Sequence, residues 1–205
     1  MSAEQGEEFP AGPRLVSTTV THSEAEDTRV TELALAAGKG DRRALEELVR
    51  ATQRDVWRFL AHLAGVPAAD DLAQETYLRA MRAVRTFRGS SSARTWLLAI
   101  ARRVVVDQIR SERARPRTVT SDWAQAAESG GRTGRGFEEL VEVGVLLDGL
   151  DPDRREALVL TQVLGLTYLE AAEVSGCELG TVRSRVARAR EDLLTRSRGQ
   201  DTGTG

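Results

Sequence analysis

The sequence has few of the residues that build metal centres, disulfide frameworks and membrane spans. Among 205 residues there is one cysteine, Cys177, and there are two histidines, His22 and His62. A single thiol forms no disulfide framework, and two isolated imidazoles are too few for a zinc site. No apolar run approaches the roughly 20 residues that a bilayer span needs, and the N-terminus lacks the pattern of a secretory signal. We therefore expect a cytoplasmic protein with no metal, no cofactor and no membrane insertion.

Aromatic residues and β-branched runs are also scarce. Only 4% of the residues are aromatic, and apolar residues recur at the three- and four-residue spacing of helices. One such series runs from Leu45 to Leu63, and Gly65 and Pro67 then end it. The pattern predicts an all-α fold of two small helical domains joined by a flexible linker, with a helix-turn-helix in the C-terminal domain.

Composition sets the expected domain boundaries. Residues 1–28 are acidic and lack helical periodicity, and we predict a disordered tail there. Helical patterning over 29–115 defines the first domain. Residues 116–137 are rich in glycine and polar residues and are interpreted as the linker. The second domain covers 138–196, and 197–205 form a second disordered tail.

The basic residues are almost all arginine and are unevenly distributed. Lys39 is the only lysine, and 29 basic against 31 acidic residues give a net charge of -2. Because the acidic residues of the tail offset the arginines elsewhere, the net charge does not reveal that these arginines form two basic stripes. The first comprises Arg102, Arg103, Arg110, Arg113, Arg115 and Arg117, and the second comprises Arg183, Arg185, Arg188, Arg190, Arg196 and Arg198. Two separate stripes indicate two contacts with a polyanion.

The second stripe lies in a predicted helix-turn-helix. Thr167 followed by Glu170 matches a capping box, and Gly176 matches the glycine that ends a helix. In the next helix the apolar residues Val182, Val186, Ala189 and Leu193 share one face. The opposite face carries Thr181, Arg183, Ser184, Ala187 and Arg188, a set that suits the DNA major groove. Arg185 lies nearer the edge, where it is either solvated or in contact with phosphate. An ordinary amphipathic helix with a solvated face is the alternative.

Several ordered motifs resemble those of bacterial sigma factors of the extracytoplasmic-function (ECF) group. The stretch from Asp70 to Arg79, DDLAQETYLR, is similar to the group's acidic "DLxQETF" helix. FRGSSSARTWL from Phe87 resembles its "FRG…TWL" segment, and AIARRVVVD from Ala99 resembles its "IARNxAxD" helix. GLTYLEAA from Gly165 and GTVRSR from Gly180 are similar to "GLSYxEIA" and "GTVKSR". The match runs from about residue 30 to 196, so 29–115 corresponds to sigma region 2 and 138–196 to sigma region 4.

The resemblance implies three binding surfaces. The first docks on the clamp helices of the largest subunit of core RNA polymerase and would use Asp70, Asp71, Gln74 and Glu75. The second reads and melts the −10 promoter element and would use Arg88, Ser90, Ser91, Ser92, Arg94, Arg102, Arg103 and Arg110. The third reads the −35 element and would use Tyr168, Thr181, Arg183, Ser184, Ala187, Arg188 and Arg190. An anti-sigma factor is a further possible partner. Two departures from the family pattern, Ala93 and Arg103, leave the captured base undefined.

Two other classes of function compete with a sigma factor. A free-standing helix-turn-helix regulator would bind operators as a dimer without polymerase. A recombinase or nuclease would need an activated nucleophile or clustered carboxylates, and the nearest carboxylates, Asp70, Asp71 and Glu75, fall in the docking motif with no histidine nearby. Phe87 and Trp96 are interpreted as core aromatics rather than base-stacking platforms.

The linker length gives a geometric expectation. About 21 residues reach about 70 Å when extended but only about 25 Å as a relaxed coil. Promoter elements about 16 base pairs apart are separated by roughly 55 Å. The linker therefore spans both elements only when a partner holds it extended, and we expect the protein alone to bind promoter DNA poorly.

Overall fold

The computed structural model describes residues 24–114 and 135–201, and these residues contain eight α-helices and no strand. The N-terminal half consists of α1 (Glu24–Gly38), α2 (Arg42–Ala64), α3 (Val66–Ala83) and α4 (Ala93–Ala114), with a short 3₁₀ turn at Val84–Thr86. The C-terminal half consists of α5 (Arg135–Leu147), α6 (Pro152–Leu158), α7 (Tyr168–Ser175) and α8 (Leu179–Asp201). A π-helical turn, Val159–Val163, continues α6. The all-α prediction is confirmed.

The helices extend further at three ends than the sequence predicted. Residues 24–28, assigned to the acidic tail, form the first turn of α1. Three acidic residues lie in that turn, Glu24, Glu26 and Asp27, and their negative charges stabilise the helix by interacting with the positive end of its dipole. α5 begins at Arg135, inside the predicted linker, and α8 continues to Asp201, inside the predicted C-terminal tail. The remaining tail and linker predictions fall on residues outside the described ranges.

Local sequence signals account for the helix ends. The carboxylate of Asp41 accepts hydrogen bonds from the backbone N–H groups of Arg43 and Ala44, at 2.9 and 3.1 Å, and so caps α2. Gly65 then ends α2 with a φ of 88°, a conformation that glycine adopts without steric cost. Asp151 caps α6 in the same way as Asp41, with Pro152 in the first helical position.

The two halves share one hydrophobic core. Phe59, Leu60 and Leu97 of the N-terminal half belong to the same buried cluster as Leu158 and Leu160 of the C-terminal half. We call their interface the seam: α2 and α4 form one side of it, and α6, the π-helical turn and α7 form the other. Helical periodicity predicted an apolar face on each helix but not which distant helices share it.

Candidate nucleic-acid interface

The helix-turn-helix forms as its sequence signals predict. The side chain of Thr167 accepts from the N–H of Glu170 at 3.2 Å, and the Glu170 carboxylate accepts from the N–H of Thr167 at 2.9 Å. This reciprocal capping box begins α7. Gly176 ends α7 in the left-handed conformation, with a φ of 63°. The chain therefore turns sharply into α8.

Two sides of α8 have opposite environments. Val182, Val186 and Ala189 are at most 1% exposed and fix the helix against the core of the C-terminal half. The other side places Thr181, Arg183, Ser184, Ala187 and Arg188 in solvent. Within the described part of the chain, neither Arg183 nor Arg188 forms an ion pair or a hydrogen bond. Their guanidinium groups are therefore available to the edges of bases, which arginine can bind through two parallel hydrogen bonds.

The other two predicted −35 residues, Arg190 and Tyr168, make contacts within the protein, as does Arg185 at the edge of the face. Arg190 is exposed, and its guanidinium donates to the side-chain carbonyl of Gln162 at 3.0 Å. Tyr168 is half-buried in the first turn of α7 and packs against the core. Arg185 is half-buried and donates to the carboxylate of Asp153. Arg185 and Arg190 thus have partners within the protein, whereas Arg183 and Arg188 face solvent and have none among the described residues.

The predicted melting segment begins as a loop anchored on α1. The backbone N–H of Ala93, where α4 begins, donates to the hydroxyl of Thr31 at 3.0 Å. Arg88 and Ser90 are exposed, and Ser91 and Ser92 are half-exposed. The Ser92 hydroxyl accepts from the N–H of Thr95 at 3.1 Å and caps the first turn of α4. The loop is thereby held in place while its serine hydroxyls stay near the surface.

The aromatic residues that flank this loop belong to the core. The rings of Phe87 and Trp96 lie 4.9 Å apart, and Phe87 is 8% exposed. The prediction of a core residue is confirmed for Phe87, and Trp96 is half-buried and packs against the core.

Two of the predicted melting residues lie in the seam. The guanidinium of Arg94 is 2.7 Å from the carboxylate of Asp55, and both side chains are 7% exposed. Arg94 also donates to the backbone carbonyl of Leu164 in the C-terminal half. In this arrangement the Arg94 side chain is closed to DNA. The sequence pattern predicted an exposed cation at Arg94. It could not reveal the two partners, because they are 39 and 70 residues away in the chain.

Arg102 makes the second polar contact across the seam. Its guanidinium is 2.7 Å from the carboxylate of Glu156, which is 8% exposed. Glu156 also accepts from the hydroxyl of Ser175 at 2.6 Å, a contact within the C-terminal half. Further along α4, Arg103 and Arg110 are exposed. Of the first basic stripe, Arg102 thus lies in the seam and Arg103 and Arg110 lie at the surface, while Arg115 and Arg117 fall outside the described residues.

A buried histidine lies on the same interface. His62 is 1% exposed at the end of α2. Burial, together with the positive charges of Arg58 and of Arg155 in the C-terminal half, lowers the pKa of His62 to about 3. His62 is neutral at pH 7, and no pattern in the sequence distinguished it from a surface histidine.

The predicted docking residues lie along α3. Asp71 and Gln74 are exposed, and Asp70 accepts from the indole N–H of Trp57 at 2.9 Å. Glu75 is 2.7 Å from Arg79, and Arg79 is also 2.6 Å from Asp107 of α4. The structure therefore brings Asp70, Asp71 and Gln74 together at one surface, whereas Glu75 pairs within the N-terminal half.

An apolar groove adjoins this surface. It has a volume of about 1030 Å³ and is lined by Trp57, Tyr77, Leu78 and Met81 together with Asp70 and Gln74. Leu78 and Met81 are 45% and 42% exposed. Sequence reasoning missed these apolar side chains, although Leu78 follows Gln74 by four residues and Met81 follows Leu78 by three, a spacing that places them on the same helix face.

The described residues contain no group of side chains that could hold a metal ion. In the same residues, no helix is both long and apolar enough to cross a membrane.

Comparison with known families accounts for both halves of the chain. The family model for Sigma-70 region 2 matches residues 48–115, and that for Sigma-70 region 4 matches residues 140–193. The ECF RNA polymerase sigma factor SigC of Mycobacterium tuberculosis is 57% identical over 175 residues, which cover 85% of this chain and 95% of that protein. This chain belongs to the ECF sigma factors.

More distant sigma factors agree with this assignment. The ECF sigma-E factor of Escherichia coli K12 is 35% identical over 168 residues, covering 76% of this chain and 87% of that protein. Among solved structures, CnrH in complex with the cytosolic domain of CnrY superposes with a TM-score of 0.65 at 28% identity, covering 86% of this chain and 99% of CnrH. The sigma factor RpoE of Bartonella quintana, solved with the anti-sigma factor NepR, has a TM-score of 0.59 at 28% identity and covers 73% and 94% of the two chains.

Proposed function

We propose that this sigma factor binds core RNA polymerase through the surface around Asp71 and Gln74 and directs it to promoters that α8 selects by their −35 element. The observation that carries the proposal is the solvent-facing side of α8, where Arg183, Ser184 and Arg188 project from a helix whose other side is fully buried. The protein itself catalyses no reaction. It works where polymerase and chromosome are, in the bacterial cytoplasm.

The polymerase surface combines charge with apolar area. Asp71 and Gln74 are exposed beside Leu78 and Met81, so the surface offers polar groups for orientation and apolar side chains for burial. A carboxylate beside an apolar groove favours a helical partner with basic residues along one edge. We assign the clamp helices of the largest polymerase subunit to this groove.

The −10 surface is assigned to the loop at Ser90–Ser92 and to the exposed cations Arg88, Arg103 and Arg110. Serine hydroxyls suit an unstacked base, and arginines suit the phosphates on either side of it. Arg94 and Arg102 join this surface only after the seam opens, because both are occupied there by the C-terminal half.

Opening the seam leaves two of its charged groups, Arg94 and Glu156, with partners inside their own halves. Arg94 keeps Asp55, which is also in the N-terminal half, and Glu156 keeps Ser175. The ion pair between Arg102 and Glu156 is broken, and the DNA backbone supplies Arg102 with another negative partner. We propose that the halves separate when polymerase and promoter bind, as the distance between the two promoter elements requires.

Replacing Arg188 by alanine tests the role of α8. We expect promoter-specific run-off transcription with purified core polymerase to fall about 10- to 100-fold, because one bidentate base contact is worth about 1–3 kcal/mol. Arg42→Ala is the control, since it removes the same charge from an arginine of α2 that is 92% exposed. Equal activity of the two variants would contradict the assignment. Sequence-specific DNA binding by the free chain without any initiation would favour a free-standing regulator.

Replacing Glu156 by glutamine tests the seam. The change keeps an acceptor for Ser175 but removes the charge that pairs with Arg102, so we expect the free chain to become more extended in small-angle X-ray scattering. We also expect stronger binding of the free chain to duplex DNA, by several fold. Glu142→Gln, at an exposed position on α5, removes the same charge away from these contacts. If both variants scatter like the parent chain, the seam does not depend on this ion pair.

A further inference from the structure

Arg185 differs from the arginines around it on α8. Its side chain is 24% exposed, whereas Arg183 and Arg188 face solvent. One guanidinium nitrogen donates to the carboxylate of Asp153, and another is 3.7 Å from the sulfur of Cys177. Asp153 lies in the first turn of α6, and Cys177 lies in the turn between α7 and α8. One side chain thus joins the recognition helix to two other elements.

A second ion pair also joins α6 and α8, but with the charges reversed, because here the basic residue is on α6 and the acidic residue is on α8. Arg154 of α6 is 2.6 Å from Asp192 of α8, and each side chain is 33% exposed. Arg185 and Asp192 are seven residues apart, about two helical turns, so they lie on the same side of α8. Neighbouring residues of α6, Asp153 and Arg154, therefore hold α8 at two points with opposite charges. Rotation or sliding of α8 along α6 would break both pairs.

Contact with DNA would require Arg185 to leave both of its partners. Asp153 is 55% exposed, and without Arg185 its carboxylate would add an unpaired negative charge beside a helix that approaches phosphates. The planar guanidinium can reach a carboxylate and a sulfur at once, which a lysine ammonium on a flexible stem does less well. These features indicate an arginine that holds α8 in a fixed position relative to α6 and the turn before α8.

We propose that Arg185, through Asp153, is a positioning residue that sets the orientation of the recognition helix and with it the discrimination between −35 sequences. This inference rests on the proposed reading of the −35 element by α8. The alternative is that Arg185 binds a DNA phosphate, in which case Asp153 competes with the DNA for it. The two roles predict opposite effects of removing Asp153.

The test compares Asp153→Asn, Arg185→Gln and the double variant in holoenzyme with core polymerase. Promoter affinity is measured over a series of salt concentrations, on a preferred and a substituted −35 element. We expect each single change to weaken binding to the preferred element about 3- to 10-fold and the double change to weaken it no further, because both remove one contact. We expect the ratio of the affinities for the preferred and the substituted element to fall. We expect the slope of log affinity against log salt concentration to stay unchanged.

Two results would overturn the proposal. In the first, Arg185→Gln weakens binding to both elements equally and lowers the salt slope by about one, while Asp153→Asn leaves binding unchanged or strengthens it. In the second, neither single change affects binding. Arg188→Gln, measured alongside, separates this failure from failure of the proposed function: if it too has no effect, α8 does not read the element. Thermal unfolding of each free chain identifies any variant that fails to fold.

Discussion

Replacing Asp55 by alanine is expected to lower the free energy of unfolding by about 3–5 kcal/mol. The change leaves the guanidinium of Arg94 charged in the seam, where its side chain is 7% exposed. A buried charge that loses its counter-charge costs far more than a surface ion pair contributes. Urea denaturation of the full chain at pH 7, followed by circular dichroism, measures the change.

The matched control is the double variant Asp55→Leu/Arg94→Met. An apolar pair of similar volume places no charge in the seam, so it should recover most of the stability lost in the single variant. The carbonyl of Leu164 loses its donor in the double variant, and recovery is therefore incomplete. A loss below about 1 kcal/mol for Asp55→Ala, the range of exposed ion pairs, would mean that the pair is open to water in solution.

Mild acid is expected to destabilise the protein through His62. The pKa of this imidazole is about 3 in the folded chain against 6.5 when unfolded, so the unfolded state binds the proton first as the pH falls. Stability is full above pH 6.5 and declines from there towards pH 3. The decline reaches about 2 kcal/mol at pH 5, since each pH unit below the unfolded pKa costs about 1.4 kcal/mol. Urea denaturation at pH 7 and pH 5 measures it.

Replacing His62 by glutamine provides the control, because the amide does not titrate. The variant should be less stable than the parent at pH 7 through imperfect packing, but its stability should change little between pH 7 and pH 5. An equal decline in both proteins would assign the acid sensitivity to other groups. Because Arg155 of the C-terminal half contributes to the low pKa, a change of radius at pH 5 in small-angle scattering would show whether the seam opens before the halves unfold.

The helix-turn-helix was predictable from sequence because its signals are local. The capping box at Thr167 and Glu170 acts over three residues, and Gly176 supplies a left-handed terminus without any distant partner. The face of α8 that carries Arg183 and Arg188 follows from helical periodicity alone. The ordered motifs added the sigma-factor family, and the relatives of both halves agree with it.

The environment of individual arginines could not be predicted from the sequence, because it depends on contacts with residues distant in the chain. Arg94 and Arg102 share a basic stripe with Arg103, yet the first two lie in the seam and the third faces solvent. Arg185 and Arg188 are three residues apart in one helix, and only Arg185 meets a carboxylate. A linear pattern reports which face of a helix a charge occupies, but not what lies opposite that face.

The sequence by itself determined the helices, their caps, the helix-turn-helix and the family. Each depends on interactions within a few residues or on the order of motifs along the chain. Only the tertiary structure decided that the two halves share a core, that His62 is buried between arginines of both halves, and which arginines remain available to DNA. Those outcomes depend on pairs of residues far apart in the chain, such as Arg102 with Glu156, 54 positions away. Such pairs meet only because packing of the apolar helix faces brings their helices together.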